Sequence, residues 1–405
     1  MEYSRIKEKL EKYDQLQLLR FYEELSEEEQ NILLTEIDNI DFDLINGEEF
    51  IATDGKITPI EVMTLNEIEK SEEEFRSYGI EAIQNNKVAA VLLAGGQGTR
   101  LGIEGPKGTL NVGLTKELYI FQCLIQNLLK VKKEAGTWIP LLIMTSDKND
   151  KETRDFLEGH DYFGYNKDYV EFFIQEMAPA TDLNGKVYLE EKGHISLSPN
   201  GNGGWFVSMR KAGLLDKVKA MGVEWINIFA VDNVLQQIAD PVFVGATLKS
   251  GQPIGAKVIR KAAPDEKVGV LCLKNGHPSI VEYYDLTEEM MVERAANGEL
   301  AYNFGVILNY LFKVEDLEAI ASRQLPLHIV NKKVPYIDEN GNHIKPEEPN
   351  GHKYENLVLD MIEMMSGCLG YEVVRAKEFA PIKNMHGVDS LDSAREMLSN
   401  NGVEL

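Results

Sequence analysis

Val88-Ala89-Ala90-Val91-Leu92-Leu93-Ala94-Gly95-Gly96-Gln97-Gly98-Thr99-Arg100-Leu101-Gly102 is the stretch that decides the fold. Its six leading apolar residues lack the alternation of a half-exposed strand and predict one buried on both faces, the habit of parallel sheets. The glycines that follow let the backbone turn sharply and bring N–H groups close to a ligand where a Cβ would obstruct. Arg100 and, past a short gap, Lys107 in Pro106-Lys107-Gly108 add a planar fork and a mobile point charge, two cations suited to a phosphate chain. The spacing is neither the G-x-G-x-x-G of a dinucleotide-binding turn nor a G-x-x-x-x-G-K-[ST] P-loop.

Downstream the pattern repeats. A helical segment over Glu117 to Ala135 precedes a buried strand, Leu141-Leu142-Ile143-Met144-Thr145, and a short helix near Lys151 to Glu158. Val170 to Phe173 and Trp225 to Val231 are further strands. This alternation predicts an α/β fold with a mostly parallel sheet and crossover helices, in which ligands bind at the carboxyl ends of the strands. Asp232 closes the Trp225 run and projects its carboxylate toward that crevice. Upstream, residues 1–85 read as a mostly helical region, with Leu16, Leu19 and Tyr22 at helical spacing. Ser26-Glu27-Glu28-Glu29 offers a capping box for a helix whose apolar face carries Ile32, Leu33 and Ile37. From about Asn331 the chain grows richer in Pro, Gly and Lys. The expected division is therefore 1–85 helical, 86–330 an α/β core and 331–405 a small C-terminal domain.

With 66 Asp plus Glu against 42 Lys plus Arg the formal charge is −24, which argues against nucleic acid as a partner. A polyphosphate ligand then needs local compensation from backbone amides, a few cations and a divalent metal. No apolar run approaches the roughly 18–20 residues that span a bilayer, and the first residues lack a signal-peptide core, so no membrane partner is expected. Three scattered cysteines without a C-x-x-C pair suggest neither disulfides nor a thiolate zinc site and point to a reducing, cytoplasmic setting.

The glycine-rich string with its Pro-Lys-Gly resembles the signature of the UDP-sugar pyrophosphorylases, above all the eukaryotic-type UDP-N-acetylhexosamine pyrophosphorylases. The likeness recurs at Met144-Thr145-Ser146, Tyr162-Phe163-Gly164, Phe172-Phe173-Ile174-Gln175, Gly201-Asn202-Gly203-Gly204, Val231-Asp232-Asn233, Val281-Glu282-Tyr283 and Pro381-Ile382-Lys383-Asn384. The resemblance implies a GT-A-like nucleotidyltransferase domain that joins UTP and a sugar 1-phosphate into a UDP-sugar and pyrophosphate, with Mg2+ as cofactor. It implies that the backbone at Ala94, Gly95 and Gly96 and the Gln175 amide address the nucleotide, with Gly201 on the base side. Asn202, Gly269, Glu282 and Asn303 would line the sugar pocket, Asp232 would hold the metal, and Arg100, Lys107 and Lys383 would act on the phosphates.

One departure concerns the sugar. Where the family has Asn-x-Gly-Asn, this chain has Asn303-Phe304-Gly305-Val306, so Val306 puts an aliphatic side chain where an amide would meet a hydroxyl, while Leu357 and Leu359 stand where animal relatives carry aromatics. The Gly201-Asn202-Gly203-Gly204 match favours N-acetylglucosamine 1-phosphate, with glucose 1-phosphate as the alternative. A glycosyltransferase on the same scaffold would need an Asp-x-Asp after a strand, and the chain's one such triplet, Asp41-Phe42-Asp43, falls in the helical region. A non-catalytic UDP-sugar sensor would not need Arg100, Lys107 and Asp232 together.

Overall fold

In the computed structural model, which describes residues 3–40, 42–43, 45, 55–323 and 325–405, the run Val88–Leu93 is a strand with all six residues buried. It pairs in parallel with Trp225–Ala230 on one side and Leu141–Thr145 on the other, and Val170–Ile174 continues the parallel order. The register sets Leu93 opposite both Ala230 and Met144, and Thr145 opposite Ile174. Four strands therefore end along one edge, and the residues just past them, Gly95, Ser146, Gln175 and Asp232, share it.

Beyond Trp225–Ala230 the sheet departs from the pattern of apolar runs. Phe304–Lys313 enters antiparallel to both Trp225–Ala230 and Ile254–Arg260, and Leu369–Glu372 and then Val62–Met63 follow in parallel to Ile254–Arg260. The central sheet is thus mixed but mostly parallel. Phe304–Lys313 also carries a bulge, with Leu308 at φ 52°, where its register against Ile254–Arg260 slips. Helix Ile120–Ala135 buries Phe121, Leu124, Leu128 and Val131 as one stripe. Helices Glu72–Gln84 and Pro241–Ser250 meet backbone to backbone through glycines: a Cβ at Gly79 would lie 1.8 Å from the Pro241 carbonyl oxygen, and one at Gly245 1.7 Å from that of Phe75.

Chain contacts gather into two units. The larger comprises Asp54–Gln175, Trp205–Gln324 and Leu359–Leu405 and holds this sheet; the smaller comprises Met1–Thr53, Glu176–Gly204 and Leu325–Val358. In the smaller unit Ile6, Leu10, Leu18, Leu33 and Ile37 pack with Val187, Leu189, Ile195, Ile337 and Tyr354, so helices from one end of the chain share a core with strands from two distant segments. The linear blocks 1–85, 86–330 and 331–405 follow chain order, whereas these contacts interleave it.

The Ser26 capping box forms as read and starts helix Glu27–Asn39. Two local expectations need correction. Leu16 and Tyr22 fall in separate 3-10 turns, Leu16–Leu19 and Tyr22–Glu24; the three-residue period turns Leu18 and Phe21 inward and leaves Leu16 44% exposed. On helix Glu27–Asn39 the buried stripe is Leu33, Leu34 and Ile37, which puts Ile32 at its exposed margin. Asp41 of the Asp-x-Asp triplet lies outside the described residues.

Candidate active site

The turn after Val88–Leu93 is built from backbone bonds that its glycines permit. Gly98 N–H donates to the Gly105 carbonyl at 2.9 Å, and Lys107 N–H to that of Gly96 at 3.2 Å, folding residues 96–107 into a closed loop. A Cβ at Gly98 would stand 2.2 Å from the Ile103 side chain. Gly105, at φ 109°, adopts a backbone that other residues avoid. A Cβ at Gly95 would lie 2.6 Å from Gln175 Nε2, so the Gln175 carboxamide rests directly on the glycine backbone at the sheet edge. Ala94 differs from its neighbours: its N–H continues the sheet to the Met144 carbonyl at 2.8 Å and its oxygen accepts from Asn149, so its N–H is spent inside the fold. Gly95 is half-buried and Gly96 exposed.

Three cations meet at this edge. Lys107 Nζ stands 3.9 Å from an Asp232 oxygen, with side-chain exposures of 17% and 29%. Burial lowers the Lys107 pKa; Asp232 opposes the shift while Lys383 and Arg100 add to it, which places all four groups within electrostatic reach. Lys383 arrives on a strap: Ile382 N–H donates to the Asp232 carbonyl at 2.9 Å, and Asn233 pairs with Pro381 as an isolated bridge. The Lys383 ammonium donates to Asp389 at 2.9 Å. Arg100, in the short turn Thr99–Leu101, is exposed. In a chain of charge −24 this convergence of cations is local, as a polyphosphate site requires.

The residues expected around a sugar assemble in part. Val306 N–H donates to the Gly269 carbonyl at 2.9 Å, and a Cβ at Gly269 would sit 3.5 Å from a Glu282 carboxylate oxygen, so Gly269, Glu282 and Val306 adjoin. Asn303 is buried and its carbonyl accepts from Lys261 N–H at 2.8 Å. Gly201 and Asn202 belong to the smaller unit. There Gly203 N–H donates to Asn356 at 2.8 Å, a Cβ at Gly201 would strike the Asn356 carbonyl at 2.2 Å, and Asn202 Oδ1 accepts the Val358 N–H at 2.9 Å. The Asn202 amide NH2 is left as its donor side.

Two supports escape a reading of the sequence. Asn149 is fully buried; its Oδ1 accepts from Ser146 N–H at 2.8 Å and its NH2 donates to Ala94 and Gly96 carbonyls at 2.9 and 3.4 Å, pinning the glycine turn. Asn233 donates to the Glu378 carbonyl at 2.7 Å and accepts from Ala380 N–H at 2.9 Å, fastening the Lys383 strap. The neighbouring Met144-Thr145-Ser146 and Val231-Asp232-Asn233 matches mark these places without giving the bonds. Among the described residues no group of three or more His, Cys, Asp or Glu side chains forms a metal cluster, and no helix is long and apolar enough to cross a membrane.

The family described as UTP–glucose-1-phosphate uridylyltransferase matches residues 47–402. UDP-N-acetylhexosamine pyrophosphorylase-like protein 1 of Homo sapiens is 35% identical over 416 residues, covering 96% of this chain and 82% of that protein. UDP-N-acetylglucosamine pyrophosphorylase of Saccharomyces cerevisiae is 35% identical over 403 residues, covering 92% and 84%. Among solved structures, the uridine diphosphate N-acetylglucosamine pyrophosphorylase of Trypanosoma brucei, in complex with an inhibitor, superposes with a TM-score of 0.84 at 28% identity over 96% of this chain and 83% of that one.

Proposed function

The chain belongs to the UTP–glucose-1-phosphate uridylyltransferase family, and from that premise we propose that it joins UTP to N-acetylglucosamine 1-phosphate, giving UDP-N-acetylglucosamine and pyrophosphate. It is a UTP:sugar-1-phosphate uridylyltransferase. The observation that carries the site assignment is the meeting of Arg100, Lys107, Asp232 and Lys383 beside the Gly95–Gln175 contact at the carboxyl edge of the sheet.

Chemically, an oxygen of the sugar phosphate attacks the α-phosphorus of UTP, a P–O bond forms, and the bond to the β-phosphate breaks as pyrophosphate leaves with the electron pair. The attacking phosphate is already ionised near neutral pH, so no general base is needed and catalysis is positioning and charge stabilisation. Arg100 and Lys107 hold the β- and γ-phosphates, whose negative charge grows as they leave. Lys383 offsets charge at the α-phosphate and the incoming phosphate. The Gln175 amide, which both donates and accepts, reads the mixed edge of uracil against the Gly95 backbone. Asp232 contributes one carboxylate and no more, a donor set that suits Mg2+, which favours one or two carboxylates with phosphate and water oxygens. Such an ion, when bound, supplies neutralisation of phosphate charge. Glu282 accepts from the hydroxyls of the sugar.

Finer fold and setting follow the same reading: a GT-A-like nucleotidyltransferase domain, supported by the ligand edge of the mostly parallel sheet, and a cytoplasmic location, supported by three free cysteines, two buried and one partly so. Plain glucose 1-phosphate is the second reading, favoured by the description of the matching family as UTP–glucose-1-phosphate uridylyltransferase. Purified protein with UTP, Mg2+ and both sugar phosphates in competition decides between them by the UDP-sugar formed. Higher kcat/KM with N-acetylglucosamine 1-phosphate and loss of pyrophosphate release in EDTA are expected; preference for glucose 1-phosphate overturns the sugar assignment.

A further inference from the structure

Lys257 lies in the middle of strand Ile254–Arg260 with no exposed side-chain surface. Its ammonium donates to a Glu378 oxygen at 2.6 Å, the Gln237 carbonyl at 3.1 Å and an Asp240 oxygen at 3.3 Å. Burial works against its charge, but Glu378 and Asp240 outweigh burial and hold it protonated. All three donor positions are therefore used. A trio of well-packed apolar side chains would stabilise such a place as well or better, so stability alone does not account for buried ions. What ions with short, directional contacts add is a fixed register between the segments they join.

The joined segments are telling. Glu378 begins the strap that carries Lys383, and its other bond, from Gln237 N–H at 3.2 Å, reaches the loop that opens with Asp232. Gln237 and Asp240 both belong to that loop, and Asp240 caps helix Pro241–Ser250 by accepting from Val242 N–H at 3.1 Å. Strap and loop are further tied by Ala380 N–H to Asn233, Val234 N–H to Ala380 and Ile382 N–H to Asp232. One buried cation thus joins both backbones that carry the Asp232 and Lys383 charges. We propose that Lys257 is a positioning residue which, through Glu378 and Gln237, sets the spacing between Asp232 and Lys383 for the uridylyl-transfer step, an inference that rests on the uridylyltransferase reading.

Lys257→Met combined with Glu378→Gln removes the two most buried charges at nearly constant volume and leaves Asp240, 19% exposed, without its cation but still capping Val242 N–H. In the folded double variant kcat should fall about tenfold or more while the KM for UTP moves less than about threefold, since Gly95 and Gln175 follow other strands. Amide exchange at Val234 and Ile382 should speed up by a similar factor. A folded variant with kcat within about twofold of the parent, or with only a raised KM, overturns the proposal. If the double variant does not fold, Glu378→Gln alone, which keeps an oxygen for the Lys257 ammonium and leaves Asp240 as its counter-charge, carries the test with a smaller fall in kcat in the same sense; an unchanged kcat there overturns it. Unaltered chain that releases no pyrophosphate from UTP and a sugar 1-phosphate would instead overturn the uridylyltransferase reading, and the exchange measurement still decides the positioning claim.

Discussion

A lysine whose burial favours its neutral form is a poor phosphate ligand at high pH, and Lys107 is such a lysine. Its folded pKa lies below the ordinary 10.5 because burial, Lys383 and Arg100 together outweigh Asp232. The neutral amine cannot offset phosphate charge, so kcat/KM for UTP, which reports the free enzyme, should fall with an alkaline limb below 10.5. The limb of kcat should lie higher, because bound triphosphate restores the charged form. Lys107→Arg, protonated throughout, should remove the limb; a limb unchanged in that variant shows that another group is being titrated. Arg100→Ala and Lys107→Ala should each lower kcat by about 10²-fold, roughly 3 kcal/mol of transition-state stabilisation, and a raised KM with unchanged kcat contradicts this. At the sugar end, Val306→Asn should sharpen the choice between gluco and galacto forms by about 0.5–1.5 kcal/mol, the worth of one hydrogen bond, as read from competing sugar phosphates in one tube.

Two glycine contacts separate chemistry from stability among the elements. Gly95→Ala drives a Cβ into the Gln175 amide, so the KM for UTP should rise about tenfold and discrimination against other bases should shrink, with the melting temperature little changed. Gly245→Ala forces helix Pro241–Ser250 off helix Glu72–Gln84 and should cost about 1–3 kcal/mol of stability while leaving kcat per folded molecule intact. Kinetics beside thermal melts of both variants check the pair, and the reverse pattern would mean the glycines have been assigned the wrong work. The elements that carry these sites were legible: apolar-rich runs pointed to strands at 88–93, 141–145, 170–173 and 225–231, where strands at 88–93, 141–145, 170–174 and 225–230 form, and the glycines and Asp232 at their ends pointed to the ligand edge. Other features were not. Nothing in an apolar run says that Phe304–Lys313 will insert antiparallel, because strand order is decided by pairing across long loops. Asp161, Tyr162 and Phe163 take three successive left-handed conformations that no glycine announces. Lys257 reads as a solvent-facing lysine, since its carboxylate partners lie 17 and 121 residues away along the chain.

For the molecule as a whole, the smaller unit is where linear reading had least to work with. Its N-terminal helices look like a self-contained region, yet Leu10, which is fully buried, shares a core with Val187, Ile195 and Ile337. Leu10→Ala should cost about 2–5 kcal/mol, and amide exchange should quicken in Val187–Ile195 and at Ile337 as well as in residues 3–39. Quickening confined to residues 3–39 would show that these helices fold alone. The interleaving also bears on how the protein is made. Segments that end at Val358 complete a core begun near Ile6. At about 5–20 residues per second, a ribosome leaves the first helices without those partners for roughly 15–60 s. Through that interval their apolar stripes face water, so slower translation of the intervening segments should lower the yield of folded chain while leaving the stability of the finished fold unchanged.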